Sequence, residues 1–192
     1  MIKVYFIRHS KTNGNLMHRY IGITNEHLAK EGIELLKSKS YPKVDVVYCS
    51  PMLRCIETAV ILYSKLESVI INDLRECDFG DFENKNYKEL SGNEDYQKWI
   101  DSMGTMDFPN GEPLSDFKKR CIKSFEYIIE DCVKNKYESI ALIVHGGTIM
   151  SILDKYSYPH KDYYNWQIKS AEMIEGYIDE EKWIKGIKRI FY

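Results

Sequence analysis

The chain reads as an α/β protein, a three-layer α/β/α arrangement on a mostly parallel central sheet that includes an antiparallel strand. Three observations predict this. Short apolar runs rich in β-branched and aromatic residues (2–7, 44–48, 69–71 and 139–144) alternate with segments of helical periodicity, the pattern of parallel strands joined by crossover helices. Two of these runs lead directly into histidine, at Arg8-His9 and His145-Gly146-Gly147, and ligands of open α/β sheets collect beyond the carboxyl ends of strands. The tail from Ala171 to Tyr192 reads as a hairpin turning near Asp179-Glu180, which supplies the antiparallel strand.

The elements follow in order. Ile2–Ile7 is a buried strand, and the polar segment from Ser10 to Asn25 leads to a helix over roughly Leu28–Ser38, with Leu28, Leu35 and Leu36 on one side. Val44–Tyr48 is a second strand; Ser50 then reads as a helix N-cap with Pro51 at the first helical position. Met52, Leu53, Ile56, Ala59, Val60 and Tyr63 recur at helical spacing behind it. Val69–Ile71 is a third strand. From Cys77 to Asn110 the pattern loosens into aromatic and polar residues, longer than ordinary connections in compact domains, and residues 84–110 are expected to form a lid or substrate loop. Leu114, Phe117, Cys121, Phe125, Ile128 and Cys132 mark a long amphipathic helix that feeds the strand Ser139–Val144.

With 192 residues, no evident linker and no internal repeat, one domain over 1–192 is expected. A net charge of −2 gives no electrostatic reason for a nucleic-acid or anionic-membrane partner, so an anionic ligand has to be held by local charge. No apolar stretch reaches membrane-spanning length, and the N-terminal run meets Arg8-His9 too early for a signal peptide, which suggests a cytoplasmic protein. The five cysteines form no zinc-like pairing and are expected to be reduced and mostly buried. Oligomeric state is not set by any sequence feature.

If the strand ends converge, Arg8, His9, Arg54, Glu76 and His145 form an anion cradle. Arginine forks match phosphate oxygens and stay charged throughout the physiological range, which points to a phosphate monoester as the small-molecule ligand. Arg54 sits near the start of its helix, where the dipole favours the same anion. A neutral His9 imidazole has the chemistry to attack phosphorus, and Glu76, at another strand exit, can protonate the leaving oxygen and later take a proton from water. A bound phosphate beside Glu76 would raise its pKa.

These residues fall in separated motifs that resemble the histidine phosphatase superfamily, the phosphoglycerate-mutase-like proteins, across nearly the whole chain. Arg8-His9-Ser10-Lys11-Thr12 with Asn15, Arg19 and Gly22 looks like the family's opening, and Ser50-Pro51-Met52-Leu53-Arg54 through Thr58-Ala59 like its second segment. Residues 74–83 resemble the acid-bearing stretch, Asn110-Gly111-Glu112-Pro113 the family's Gly-Gly-Glu-Ser, and Val144-His145-Gly146-Gly147 the second histidine motif. The resemblance implies a phosphoglycerate mutase-like fold and a phosphatase with no metal and no cofactor. It also implies that His9 is phosphorylated, that Arg8, Asn15, Arg54, His145 and Gly146 bind the phosphoryl group, and that Glu76 donates the proton. Four positions depart from the pattern: Ser10 for Gly, Lys11 for Glu or Gln, Asn84 for Gly and Pro113 for Ser. Ser10 is the most consequential, because it adds a side chain beside the nucleophile.

Other chemistries fit less well. Cys49 to Arg54 misses cysteine-phosphatase spacing by one residue, and Pro51 removes an amide that such a loop needs. No residue pair has local metal-ligand spacing, and His145-Gly146-Gly147 lacks the nucleophile elbow of an esterase. Within the family pattern two alternatives remain: a mutase-type phosphotransferase, and a phosphate-binding domain in which Ser10 blocks turnover. The stretch between Glu76 and His145 is short for a cofactor-dependent mutase. The loose segment offers Tyr87, Tyr96, Trp99 and Phe108 but few lysines, which predicts a substrate with one phosphate and an apolar or aromatic body. In size and motif style the chain most resembles the family's small α-ribazole phosphatases, which makes α-ribazole 5′-phosphate one candidate implied by the resemblance, beside the substrates of nucleotide, sugar-phosphate and broad-specificity phosphatases.

Overall fold

The computed structural model describes all residues, 1–192. Its elements in chain order are β1 (Ile2–Arg8), α1 (Asn13–Leu16), α2 (Lys30–Lys37), β2 (Val46–Cys49), α3 (Leu53–Leu62), β3 (Ser68–Ile70), α4 (Glu94–Asp101), α5 (Leu114–Asn135), β4 (Ser139–Val144), α6 (Gly146–Tyr156), β5 (Ser157–Tyr158), β6 (Met173–Ile178), α7 (Glu180–Ile184) and β7 (Ile190–Phe191). Seven strands make one sheet in the order β3-β2-β4-β1-β6-β7-β5. β3, β2, β4 and β1 run parallel, and β6 pairs antiparallel with β1. The expected α/β/α fold with a mostly parallel sheet and an antiparallel strand is what forms.

The layers follow from strand alternation. On β1, Ile2, Val4 and Phe6 face one side and pack with Ile140, Leu142 and Val144 of β4 against Phe125, Ile128 and Ile129 of α5 and Ile149, Ile152 and Leu153 of α6. Tyr5 and Ile7 face the other side with Ala141 and Ile143, against Cys55 and Ala59 of α3 and Tyr63 at its C-cap. Successive side chains on a strand point to opposite faces, so an uninterrupted apolar run is what two covered faces require. All five cysteines are free and buried.

Two details differ from expectation. β6 does not turn directly into β7: the Asp179 side chain accepts from the Lys182 N–H and caps α7, which intervenes before β7 returns antiparallel to β6. Ser50 and Pro51 do not open α3, whose first helical residue is Leu53. The Leu53 N–H is satisfied instead by Asn25 Oδ1 at 2.8 Å, from a distant loop. No helix is long and apolar enough to cross a membrane.

Candidate active site

β1 and β4 are in register through Arg8 and Val144, so the next residue on each strand is a histidine. The His9 N–H donates to the Val144 carbonyl at 2.9 Å, and the Ser50 N–H, just past β2, donates to Ile143 O at 3.1 Å. Three neighbouring parallel strands thus release His9, His145 and Ser50 at one edge. The two imidazoles meet edge to face, with centroids 5.1 Å apart.

The His9 ring is oriented by its own backbone. Nδ1 lies 2.7 Å from the Ser10 carbonyl, which has no proton to give, so Nδ1 carries the hydrogen and donates it. Nε2 is left with its lone pair. Burial, then the Arg54 and Arg8 charges, hold the His9 pKa well below the usual histidine value, so the ring is neutral at neutral pH. Ser10, which departs from the family pattern, leaves this arrangement clear. Its hydroxyl donates to Gly32 O in α2 at 2.7 Å, and its N–H donates to Thr58 Oγ1 at 3.1 Å. Both bonds tie the serine to the helical layer behind the strand end.

Arg8 donates through Nη1 to Ile168 O at 2.7 Å, and its buried Nε has no partner. Arg54 is fully buried near the start of α3; its Nη atoms donate to Thr24 O and Gly22 O, each at 2.8 Å, while its Nε is also unpartnered. Arg54 therefore knits the loop after α1 to α3 and keeps one buried donor unspent. Gly22 is required there, since a Cβ would sit 1.9 Å from the Cys77 carbonyl oxygen. Asn15 closes a capping box on Thr12: its side-chain oxygen accepts from the Thr12 N–H at 3.2 Å, which leaves its NH₂ as the available donor.

Glu76 follows β3 and a single 3₁₀ turn, Asn72–Leu74. Its Oε1 accepts from the Cys77 N–H at 3.0 Å and its Oε2 from the Gly147 N–H at 3.4 Å. Any side chain on Gly147 would press on this carboxyl, because a Cβ there would lie 2.6 Å from Oε1. Burial raises the Glu76 pKa, opposed by these hydrogen bonds and by Arg54 and Arg8. The backbone that carries Glu76 is gripped by Arg120 of α5, whose Nη atoms donate to the carbonyls of Asp73, Arg75 and Glu76 at 2.6 to 3.0 Å. Glu112 holds that guanidinium bidentately, at 2.6 and 2.7 Å.

A chamber of about 280 Å³ opens in front of these groups. Arg8, His9, Asn15, Glu76 and Gly146 line it. Arg54 and His145, expected to bind the phosphoryl group with them, are fully buried and are not among the lining residues. His145 Nε2 is hydrogen-bonded to Ser50 Oγ at 2.7 Å, so Ser50 orients the second histidine where a helix cap was anticipated. Burial foremost, with Arg54, also lowers the His145 pKa well below the usual value. From residues 84–110 only Trp99, Gly104 and Phe108 reach the chamber, whereas Tyr87 is exposed. Sequence reading missed Tyr20, Phe79, Phe117, Tyr163 and Tyr164 on the wall. Phe117 was legible only as a core position of α5, and the two tyrosines lie in a 3₁₀ turn, Tyr163–Trp166, that carries no periodic signal.

The departures from the family pattern are absorbed locally. Asn84 has φ of 56°, the left-handed region in which Asn is the usual substitute for Gly. Pro113 offers no capping side chain to α5, and the Leu114 N–H is instead taken by Asp107 Oδ1 at 2.8 Å.

Comparison with known proteins agrees with this geometry. The Escherichia coli adenosylcobalamin/alpha-ribazole phosphatase is 29% identical over 163 residues, covering 79% of this chain and 77% of that protein. Phosphoserine phosphatase 1 of Hydrogenobacter thermophilus is 26% identical over 152 residues, covering 75% and 70%. The crystal structure of the alpha-ribazole phosphatase from Shigella flexneri superposes with a TM-score of 0.77 at 23% identity, covering 93% of this chain and 91% of the other, a likeness of fold. The model of the histidine phosphatase superfamily (branch 1) matches residues 4–187, and the chain belongs to that family, an enzyme that hydrolyses phosphate monoesters.

Proposed function

We propose that His9 is the covalent carrier in the hydrolysis of a small phosphate monoester, with Glu76 as proton donor. The observation that carries this reading is the committed Nδ1–H of His9, which leaves a neutral Nε2 beside Arg8 and a buried glutamic acid. In the first step Nε2 attacks phosphorus, the ester P–O bond breaks, and the departing oxygen takes the Glu76 proton. In the second, the Glu76 carboxylate takes a proton from water, the hydroxide attacks the phosphohistidine, and the N–P bond breaks to release phosphate and neutral His9. Arg8 and the Asn15 NH₂ bind the phosphoryl oxygens, with the Gly146 backbone beside Arg8 completing the wall. Arg54 and His145 stabilise the transferring charge from behind it.

The rest of the substrate occupies the apolar end of the chamber, where Trp99, Phe108 and Phe79 suit an aromatic or apolar body. Residues 84–110 act as the lid over that end, held at Gly104 O by the Tyr164 hydroxyl at 3.0 Å. The whole chain serves as one catalytic domain. α-Ribazole 5′-phosphate and phosphoserine, the compounds in the relatives' names, define the substrate panel together with an aryl phosphate. Rapid-quench mass spectrometry on the aryl phosphate is expected to find phosphate on His9 and none in His9→Ala. Full activity of that variant would overturn the reading, and primer-dependent isomerisation of 3-phosphoglycerate would replace it with a mutase.

A further inference from the structure

A second, more open cleft of about 640 Å³ adjoins the chamber and shares Arg8, Asn15, Arg19 and Tyr20 with it. Its remaining wall includes Lys11, His18 and Lys169, and no carboxylate lines it. Arg19 is paired with Glu89 at 2.8 Å, whereas Lys11 and Lys169 join none of the ion pairs in the molecule. Glu172 accepts from the Lys169 backbone N–H at 2.9 Å. In a chain of net charge −2, this is cationic charge gathered against its own repulsion at the mouth of a phosphate site.

Both lysines project from fixed points. The Lys11 carbonyl accepts the Ala29 N–H at 2.8 Å, at the start of α2, and the Lys169 carbonyl accepts the Glu172 N–H at 3.1 Å, just before β6. Lys11 also stands where the family pattern carries Glu or Gln, so this position exchanges an acid or amide for a cation. The loose segment, poor in lysine, is therefore not where further anion binding is built.

We propose that this cleft binds a second anionic group, carboxylate or phosphate, carried by the same molecule whose phosphoryl group sits between Arg8 and His9. The inference rests on the phosphatase reading for that first anion and narrows its substrate class. Monoesters of acids are favoured over α-ribazole 5′-phosphate, whose single anionic group would leave Lys11 and Lys169 uncompensated. Arg8 and Asn15 form the partition between the two anions.

Calorimetric titration of the His9→Ala protein tests this without turnover, using two matched pairs: 3-phosphoglycerate against glycerol 3-phosphate, and carboxyphenyl phosphate against phenyl phosphate. The acid member of each pair is expected to bind about fivefold to tenfold tighter at low ionic strength, an advantage that salt erodes. Adding Lys11→Met and Lys169→Met should remove the advantage and leave phenyl phosphate affinity within about twofold. Equal affinities within both pairs, or an advantage that survives the lysine changes, would overturn the proposal. So would inorganic phosphate filling two sites, one lysine-dependent, with no preference for the acid esters, because the cleft would then hold a free anion. Failure of the phosphatase reading would appear separately, as wild-type protein that forms no phosphohistidine.

Discussion

At His9 the ring hydrogen is spent on the Ser10 carbonyl, while at Glu76 the carboxyl is buried against two backbone N–H groups. These environments move the two pKa values in directions that suit a nucleophile and an acid. His9 is depressed by burial and by the flanking guanidiniums, so its neutral form persists well below the usual histidine range as pH falls. Glu76 is raised by burial, so its acid form survives above the usual carboxylate range and is lost as pH rises through the raised value. For an alkyl phosphate, kcat/KM should accordingly show a basic limb set by Glu76 and an acidic limb displaced downward. Glu76→Gln should flatten the basic limb and cost about 10²-fold to 10⁴-fold on that substrate. A nitrophenyl ester needs no proton on its leaving oxygen, so its burst of nitrophenolate should fall far less. Equal losses on both esters would show that Glu76 is not the acid.

Elements that bury a periodic face were legible from sequence: β1, β4, α3 and α5 lie within a few residues of expectation because apolar spacing is a consequence of packing. Of the convergence expected of Arg8, His9, Arg54, Glu76 and His145, the strand ends and motifs bring Arg8, His9 and Glu76 to the chamber, while Arg54 and His145 stay buried outside its lining. What escaped was set by contacts distant in sequence. Ser50 looked like a cap until β4 brought His145 within 2.7 Å, and the chamber's tyrosines sit in turns with no period to read. The Arg120–Glu112 clamp belongs to the same class, because α5 reaches the loop before Glu76 only through the tertiary fold. Its role is positional: it touches no reacting atom yet fixes the backbone on which the acid is mounted. Arg120→Lys keeps a positive charge but cannot reproduce the fork that spans three carbonyls and a bidentate carboxylate. Expected are a fall in kcat of about 10-fold to 100-fold with little change in KM, and a basic limb displaced from its wild-type position. A proportional loss of folded protein with unchanged kcat per folded molecule would mark the clamp as merely structural.

Across the whole molecule, the site opposes the stability of its scaffold. His9, His145, Arg54 and Glu76 are buried polar groups gathered where three parallel strands end, next to a core of apolar residues that tolerates no charge without compensation. The two histidines are neutral in the folded state because burial and the arginines depress their pKa values, whereas in the unfolded chain they titrate near 6.5. As pH falls below that value the unfolded state takes up protons that the folded state refuses, so stability present above pH 6.5 is lost on acidification. Each histidine contributes a slope of up to about 1.4 kcal/mol per pH unit within this window. Glu76 has the opposite sign: its raised folded pKa favours the fold at low pH, and this contribution disappears as pH rises through that value. Below 6.5 the two histidines act in the same direction, against the single opposing contribution of Glu76. Urea unfolding followed between pH 7.5 and 5.5 should therefore show a falling free energy, and His145→Asn should flatten part of that slope even though it leaves Ser50 short of a partner and lowers the plateau. A slope unchanged by that substitution would mean that His145 is already protonated in the fold, which would add a third cation, with Arg8 and Arg54, to the phosphate site and remove the basis for a neutral pair of imidazoles.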